Sequence, residues 1–394
     1  MTKGRKFVVG CCITMGIGVL LCAAGFAMGG SVTGINAGPA GIAVYTPDGS
    51  ENRTKITYQT GEEQLEKFDG IKIEADYADV TIQPAEHYGI SYHIDERYTF
   101  SYEIKDGTLA VTQKMPSGIS SDFTLVSFGD VSSENEYYEH EFITVYVPKD
   151  SELKAVDVNG DSGEVICGNF YAEQLNIEAG YGDVELNEVG SKNASIIMDF
   201  GDLEISSFAD GDITVENDYG NVVLEDVRAG EVNLKVDSGN LKVSEITADI
   251  FKADDNYGDI TLQQVEINGI NLTADSGNIS LEDVKAGDFV VYSVYGNVEG
   301  KNIKASSFSG ELESGNCKMT ELDVKSVDVK SDYGDVKLGL TAKLTDYGYA
   351  LETEYGEIAL DGKDMGETYA SLEDEKEKIA VFCESGNIQI EGVK

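Results

Sequence analysis

The stretch Asp218-Tyr-Gly-Asn-Val-Val-Leu-Glu-Asp-Val-Arg-Ala-Gly-Glu-Val-Asn-Leu-Lys-Val-Asp-Ser-Gly-Asn-Leu241 contains one full unit of the repeat that determines the fold. Ten glycines stand nineteen residues apart without interruption: Gly163, Gly182, Gly201, Gly220, Gly239, Gly258, Gly277, Gly296, Gly315 and Gly334. Two further copies of the motif, at Gly356 and Gly386, follow at looser spacing. A fixed period of about twenty residues is typical of a solenoid, in which each unit buries its apolar face against its neighbours.

Within one unit, apolar residues alternate with polar ones. After Gly220 they fall at Val222, Leu224, Val227, Val232 and Leu234, with turn-forming residues between the runs. This periodicity predicts short strands, and the glycine is predicted to adopt a positive φ that a side chain would disfavour. We therefore predict an all-β fold, a parallel β-solenoid (β-helix) with 19-residue turns, preceded by one N-terminal transmembrane helix. A meander of antiparallel hairpins is the competing geometry.

The residue before the glycine alternates between large and small. In successive units it is Tyr219, Ser238, Tyr257, Ser276, Tyr295, Ser314 and Tyr333. One interpretation is packing at a corner of the coil, and the other is an exposed aromatic ladder that stacks on sugar rings. Strand parity favours the first, because this position shares its phase with inward-facing residues.

The chain is strongly acidic, with 72 Asp and Glu against 29 Lys and Arg and a formal net charge of −43. This charge argues against nucleic acid as a ligand, because phosphates would be repelled. Acidic residues gather beside the glycines, and Ca²⁺ prefers clustered oxygen ligands of this kind. The candidate calcium columns contain Asp199, Asp202, Asp218, Asp237, Asp259, Asp275, Asp332 and Asp335.

Two ordinary explanations compete with calcium at these columns. Asp and Asn are favoured at turns for local hydrogen bonding, and charges at sheet edges discourage aggregation. The chain also lacks the Gly-Gly-x-Gly-x-Asp repeat of calcium-binding β-rolls. We therefore predict no cofactor, and calcium stays open as an alternative.

The N-terminal segment Phe7 to Met28 is free of charged residues and is long enough to span a bilayer as a helix. Lys3, Arg5 and Lys6 precede it, which predicts a cytoplasmic N-terminus and an extracytoplasmic solenoid. The expected location is the cell membrane, with a single pass. Cleavage as a signal peptide after Gly25-Phe-Ala27 is the alternative.

We predict four segments along the chain. A basic tip and membrane anchor occupy residues 1–28, and a stalk rich in Gly, Ser and Thr occupies 29–69. A variant β cap with a polar loop at 115–141 spans 70–150, and the regular solenoid spans 151–394, with a charged insertion at 361–378. Terminal turns of a solenoid must be atypical to protect the open ends of the sheet.

Catalytic signatures are lacking in the sequence. The only histidines, His87, His93 and His140, match no metal or triad spacing. Cys11, Cys12 and Cys22 lie in the apolar N-terminal segment, and Cys167, Cys317 and Cys383 fall at apolar positions of separate turns, as expected of small buried hydrophobes. No phosphate-binding loop, dinucleotide fingerprint or nucleophile elbow is present. We predict no catalytic and no cofactor-binding residues.

Three stretches resemble the bacterial putative-adhesin family, a domain of unknown function built from β-strand repeats. They are the phrase beginning at Ile71 (Ile-Lys-Ile-Glu-Ala-Asp-Tyr-Ala-Asp-Val), the phrase beginning at Thr144 (Thr-Val-Tyr-Val-Pro-Lys-Asp) and the Ser-Gly-Asp/Asn-Val series that follows. The resemblance covers roughly residues 70–394. It implies a membrane-tethered or secreted solenoid of a kind common in Gram-positive bacteria, found near cell-envelope stress systems and without established catalytic residues.

These observations predict a membrane-anchored, cell-surface solenoid that binds or scaffolds other molecules and is not an enzyme. Candidate partners are the membrane itself, through Phe7 to Met28, and a cell-wall polymer, a cationic peptide or an envelope protein. Two alternatives stay open. One is a cell-envelope stress regulatory protein that contacts a membrane sensor, and the other is a carbohydrate-active enzyme built on a β-helix.

Overall fold

A computed structural model of the chain describes residues 57–115, 139–149, 151–371 and 377–393, together with the strands at 35–38, 41–44 and 123–126. Among these residues, no helix is long and apolar enough to cross a membrane. The predicted transmembrane segment, Phe7 to Met28, lies outside the described residues, as does most of the predicted polar loop at 115–141.

The first ten strands include a small separate sheet. They are β1 (Ile35–Gly38), β2 (Gly41–Val44), β3 (Tyr58–Gln64), β4 (Gly70–Ala75), β5 (Asp79–Ala85), β6 (Gly89–Asp95), β7 (Thr99–Lys105), β8 (Thr108–Lys114), β9 (Phe123–Val126) and β10 (Phe142–Pro148). Strands β1, β2 and β9 form a three-stranded antiparallel sheet, in the order β2-β1-β9. Two of these strands and β3 fall within the segment predicted as a stalk.

The repeat array follows, and most of its strands cover a whole turn of the coil. They are β11 (Ser151–Ser162), β12 (Val165–Tyr181), β13 (Val184–Phe200), β14 (Leu203–Ala209), β15 (Asp212–Tyr219), β16 (Val222–Ser238), β17 (Leu241–Tyr257), β18 (Ile260–Ser276), β19 (Ile279–Tyr295), β20 (Val298–Ser314), β21 (Cys317–Tyr333) and β22 (Val336–Leu340). After a 3-10 helix (Leu344–Asp346) come β23 (Tyr347–Tyr355), β24 (Ile358–Leu360), β25 (Lys363–Gly366), β26 (Thr368–Ser371), β27 (Glu377–Ser385) and β28 (Ile388–Glu391).

Successive turns pair in parallel with a register of nineteen residues. In β18 and β19, for example, Ile260 lies opposite Ile279 and Ile270 opposite Phe289. The prediction of an all-β parallel solenoid with 19-residue turns is therefore confirmed, and the antiparallel meander is wrong for the array.

The core consists of the alternating apolar residues that the sequence pattern identified. In β19 these are Ile279, Leu281, Val284, Phe289 and Val291, each no more than 2% exposed. Each lies opposite the equivalent residue of the turns on either side, because the register holds every column in line. Burial of one such side chain stabilises the fold by about 1.5–3 kcal/mol. One 19-residue unit on its own has no such neighbours, so stability depends on the stack.

Strand β27 lies between two strands that precede it in the chain. It pairs in parallel with β21 on one side and with β23 on the other. The stacking order at this end is therefore β21, β27, β23, and the last full strand of the chain is not the last in space. Strand β26 then pairs with β23 in the antiparallel direction.

The opposite end of the array also departs from the regular pattern. Strand β4 pairs in parallel with β11 and with β8, and β7 closes on β8 in the antiparallel direction. Strand β10 pairs with β5 in parallel and with β6 in the antiparallel direction. Antiparallel strands therefore stand beside the terminal turns at both ends, as the need to protect open sheet edges requires.

Candidate functional site

The corner at the glycine is a stack of main chain with no room for a side chain. A β-carbon on Gly277 would lie 1.8 Å from the carbonyl oxygen of Gly258 in the preceding turn. The φ of Gly277 is +157°, and its N–H donates to the carbonyl of Tyr295 at 3.0 Å. A close approach to backbone in the neighbouring turn recurs at each corner, in the stacking order Gly163, Gly182, Gly201, Gly220, Gly239, Gly258, Gly277, Gly296, Gly315, Gly334, Gly386 and Gly356.

The residue after the glycine forms a second ladder along the corner. Asp202 Oδ1 accepts the backbone N–H of Asn221 at 2.7 Å, and Asn221 Oδ1 accepts that of Asn240 at 3.0 Å. Asn240 Oδ1 in turn accepts the N–H of Asp259 at 3.1 Å. The ladder continues, at 2.7–3.1 Å, through Asn278, Asn297, Asn316, Asp335 and Asn387. An Asp or Asn here therefore supplies one acceptor to the next turn.

The residues of the candidate calcium columns divide between two positions. Asp202, Asp259 and Asp335 belong to this hydrogen-bonded ladder. The others lie two residues before a glycine, where all but the half-buried Asp237 are exposed: Asp199, Asp218, Asp237, Asp275 and Asp332. Within the described ranges, no three His, Cys, Asp or Glu side chains are grouped closely enough to hold a metal ion. Calcium binding stays a prediction that these contacts do not test.

We define the aromatic column as the residues immediately before the glycines. Its rings are exposed, with relative accessibilities of 65% for Tyr257, 63% for Tyr295 and 60% for Tyr333. The interpretation that strand parity turns these rings inward is therefore wrong. The chain bends at the glycine, so the two residues before it both face outward, while the third one before it faces inward.

Where aromatic residues of this column are adjacent, they stack face to face. The ring centroids of Tyr181 and Phe200 are 4.9 Å apart, with an interplanar angle of 4°. Those of Phe200 and Tyr219 are also 4.9 Å apart, with an angle of 7°. The ring faces in this part of the column therefore point along the stacking direction.

From Tyr219 onward, tyrosine alternates with serine, and the alternation follows the stacking order of the turns and not their order in the chain. Tyr333 lies opposite Ser385, and Ser385 lies opposite Tyr355, because β27 sits between β21 and β23. In stacking order the column is Tyr219, Ser238, Tyr257, Ser276, Tyr295, Ser314, Tyr333, Ser385 and Tyr355. The alternation therefore continues across the insertion of β27 between β21 and β23.

The buried residue three before the glycine changes in step with the column. From Tyr219 onward it is polar in tyrosine turns, namely Asn217, Asp255, Ser293, Ser331 and Thr353, and apolar in serine turns, namely Val236, Ala274, Leu312 and Cys383. In the earlier turn of Tyr181 it is the apolar Ala179. The Ser331 hydroxyl donates to the carbonyl of Gly334 at 3.3 Å, and that of Thr353 donates to Gly386 at 2.8 Å. Sequence reasoning missed this second alternation, although it can be read from the sequence at the position three residues before each glycine.

Asp255 is the exception among these polar residues, because it carries a carboxyl group. It is fully buried, and no hydrogen bond of good geometry within the described residues reaches either of its side-chain oxygens. Burial raises the pKa of Asp255 to about 7, the nearby charges of Asp259, Asp254 and Asp237 act in the same direction, and the Tyr257 amide offsets part of the rise. The neutral form of this carboxyl group is therefore favoured below about pH 7.

The remaining candidate groups are the cysteines of the array and the three histidines. Cys167, Cys317 and Cys383 are free and buried, and burial raises the pKa of each thiol to about 12. They are small buried hydrophobes, as predicted. His87 and His140 are exposed, and the His93 ring bonds to the Thr60 hydroxyl at 2.7 Å.

Other outward faces carry shallow grooves with mixed charge. One groove of about 490 Å³ is lined by Lys72, Glu74, Lys114, Asp157 and Glu178, among others. Several lysines on these faces are paired with acids, as with Lys114 and Glu74 at 2.6 Å and Lys304 and Asp323 at 3.0 Å. Exposed pairs of this kind contribute little to stability, about 0–1 kcal/mol.

The family follows from comparison with known families. The model of the Toastrack DUF4097 family matches residues 68–249 and 227–391, which together span most of the chain. The chain belongs to this family. The resemblance predicted from the sequence, to a β-repeat domain of unknown function called a putative adhesin, is confirmed. Among curated proteins, none matches this DUF4097 chain.

Solved structures similar to the DUF4097 chain include proteins described as putative adhesins. One from Parabacteroides merdae is 14% identical, with 71% of this chain and 95% of that chain covered and a TM-score of 0.32. One from Parabacteroides distasonis is 12% identical, with 71% and 96% covered and a TM-score of 0.34. A putative cell adhesion protein from Clostridium sporogenes is 11% identical, with 86% and 100% covered and a TM-score of 0.17. Identities and TM-scores this low carry no argument about function.

Proposed function

We propose that this DUF4097 protein is an adhesin-like, cell-surface β-solenoid that binds or scaffolds other molecules and does not catalyse a reaction. The observation that carries the proposal is the exposed aromatic column. Seven aromatic residues of this column, including Tyr257 and Tyr355, are 41–74% exposed on a ladder of paired strands. A contiguous row of large exposed apolar side chains marks an interaction surface.

Two further observations support binding over catalysis. Asp255, Cys167 and Cys383, whose pKa values are strongly raised by burial, face the interior of the coil. The column also repeats the same local chemistry every two turns. A repetitive ligand would therefore gain affinity from several weak contacts held at a fixed spacing.

We propose that the solenoid is displayed outside the cell and that Phe7 to Met28 anchors it in the membrane. The uncharged length of this segment and the basic residues before it support the proposal. Intact cells that express the full chain provide the test. Added protease should degrade the solenoid while a cytoplasmic control protein survives. Protection of the solenoid until the cells are lysed would contradict surface display.

The net charge of −43 favours cationic ligands over anionic ones. The binding test uses the full-length protein in detergent micelles against wall-polymer fractions and cationic peptides. The variant Tyr257→Ser/Tyr295→Ser/Tyr333→Ser removes three exposed rings, and the control Tyr171→Ser removes a tyrosine outside the column. We expect the first variant to lose binding and the second to retain it. Equal binding by both would show that the column is not the site.

A further inference from the structure

The serines of the aromatic column are not required by packing. Tyr181, Phe200 and Tyr219 occupy three consecutive turns of the same column and stack at 4.9 Å. Adjacent rings therefore fit on adjacent turns. Beyond Tyr219, the alternation with serine persists for eight further turns in space, including the place where β27 is inserted out of chain order. A pattern that is kept in space, and that ring size alone does not demand, suits a ligand with the same period.

Each serine leaves a slot between two tyrosines. Successive tyrosines of the alternating stretch are two turns apart. Neighbouring strands are about 4.8 Å apart, and the stacked rings are 4.9 Å apart, so two turns place the tyrosines about 9.6–9.8 Å from each other. A planar group centred in such a slot would be about 4.9 Å from both rings. This is within the range of about 6 Å over which a cation is attracted to an aromatic face.

Every serine slot is preceded by an acidic residue. The four pairs are Asp237-Ser238, Asp275-Ser276, Glu313-Ser314 and Glu384-Ser385. The residues before the tyrosines are less uniform, since they include Asn256 and Val294. Negative charge is therefore placed at each gap between rings, where it complements a cation seated in the gap.

The spacing of the slots selects among regular peptide conformations. Side chains on one face of a β-strand recur at about 6.6–6.8 Å, and one turn of α-helix advances about 5.4 Å. A polyproline II helix has three residues per turn and a rise of about 3.1 Å per residue, so every third side chain recurs at about 9.3 Å. This last period is nearer to the spacing of the slots than the roughly 10.5 Å between side chains seven residues apart on an α-helix. Arginine suits the slot better than lysine, because its planar guanidinium stacks on aromatic faces.

We propose that the column from Tyr219 to Tyr355 binds a proline-rich peptide in the polyproline II conformation, with arginine at every third residue. Each guanidinium lies in a serine slot between two tyrosine rings, beside the acidic residue of that turn. This assignment rests on the proposed binding function and names its partner class. The charge of the chain opposes a second copy of itself as the occupant, because the column is flanked by acids.

The probe for this proposal is a fluorescent peptide of five Pro-Pro-Arg triplets, titrated against the full-length protein in detergent. A matched peptide has the same composition with arginine at irregular intervals, and a second has lysine in place of arginine. We expect the regular arginine peptide to bind about tenfold or more tightly than either. Equal affinities would overturn the proposal, because they would leave only charge attraction.

The variant Ser276→Tyr fills one slot without removing any ring. We expect the introduced ring to stack with Tyr257 and Tyr295, as in the Tyr181–Tyr219 stretch, and to weaken binding of the probe about tenfold with an unchanged melting temperature. The control is Ser280→Tyr, at an exposed position three residues after Gly277 and outside the column. Undiminished binding by Ser276→Tyr would overturn the proposal.

Two other outcomes also overturn it. One is column-dependent binding of a wall glycan that the peptide does not displace, and the other is column-dependent dimerisation detected by sedimentation. Both leave the proposed binding function intact, because the column would still be the site. Failure of the proposed function looks different, since no ligand of any class would then depend on Tyr257, Tyr295 or Tyr333.

Discussion

At the scale of single residues, the turn glycines are constrained by contact as well as by conformation. Gly277 has both a φ of +157° and a neighbouring carbonyl 1.8 Å from where its β-carbon would lie. Gly269, on the same turn, has neither constraint, since the nearest atom to its virtual β-carbon is 3.9 Å away. The two positions therefore provide a matched comparison for the same substitution.

We expect Gly277→Ala to destabilise the protein by more than about 3 kcal/mol, because strain and a backbone clash add. Gly269→Ala should change stability by less than about 1 kcal/mol. Urea denaturation of the two variants gives the free energies of unfolding. Similar losses for both would contradict the close stacking of the corner.

Asp255 makes the stability depend on pH. Its pKa in the folded protein is raised to about 7 from the ordinary value of 3.8, so the folded state holds a proton that the unfolded state has lost between these values. The contribution of this group is therefore complete below about pH 4 and is lost as the pH rises to about 7. At 1.36 kcal/mol per pKa unit, the effect is on the order of 4 kcal/mol at most.

We expect Asp255→Asn to be more stable than the wild type at pH 8, by at least about 1 kcal/mol, and nearly equal to it at pH 4. An amide already occupies the equivalent position in another turn, where Asn217 donates to the carbonyls of Gly201 and Gly220. Asp254→Asn, at an exposed position next in the chain, controls for the loss of one charge. Melting temperatures across this pH range provide the measurement, and a pH-independent effect of Asp255→Asn would refute the assignment.

At the scale of the strand and its turn, the Asp/Asn ladder joins each corner to the next. The Oδ1 of Asn297 accepts the backbone N–H of Asn316 at 3.0 Å. We expect Asn297→Ala to cost about 1 kcal/mol, and Asn297→Asp, which keeps the acceptor, to cost less. Ser280→Ala, exposed two residues after Asn278, should change little. Thermal unfolding distinguishes the three, and a cost for Asp equal to that for Ala would contradict the role of the acceptor.

The sequence predicted the elements well wherever one rule held from turn to turn. The period, the parallel direction and the inward residues of β19 follow from the spacing of the glycines and the apolar alternation. The prediction from strand alternation was wrong at the aromatic column. It assumed that the strand continues unbroken past the glycine, whereas the chain bends there. A second bend lies where turn-forming residues were predicted between the apolar runs, and it uses ordinary residues with positive φ, such as Asp226 at 50° and Glu245 at 55°.

The insertion of β27 between β21 and β23 was not predicted, because the sequence reasoning assumed that the repeats stack in chain order. A signal was nevertheless present in the column. After Tyr333, the alternation requires a serine and then a tyrosine, and in space Ser385 and then Tyr355 supply them. Chain order presents Tyr355 first. The alternation would therefore have predicted that the strand ending at Ser385 inserts before the strand ending at Tyr355.

At the scale of the whole molecule, the proposed binding depends on the regular distance between successive turns of the solenoid. Each turn adds a fixed rise, so residues of one column are spaced in proportion to the number of turns between them. The proposed slots at Ser238, Ser276, Ser314 and Ser385 are evenly spaced only if β27 lies between β21 and β23. Both the binding proposal and the fold therefore rest on the same geometry.

Pulsed electron paramagnetic resonance on the full-length protein, in a cysteine-free background, measures that geometry directly. Spin labels are placed pairwise at Ser238 and at Ser276, Ser314 or Ser385. The account predicts distances that rise in equal steps of about 9.6–9.8 Å, to about 29 Å for Ser238 and Ser385, although the last step spans 71 residues of sequence. Unequal steps, or a Ser385 label placed one or more turns beyond this series, would contradict the account.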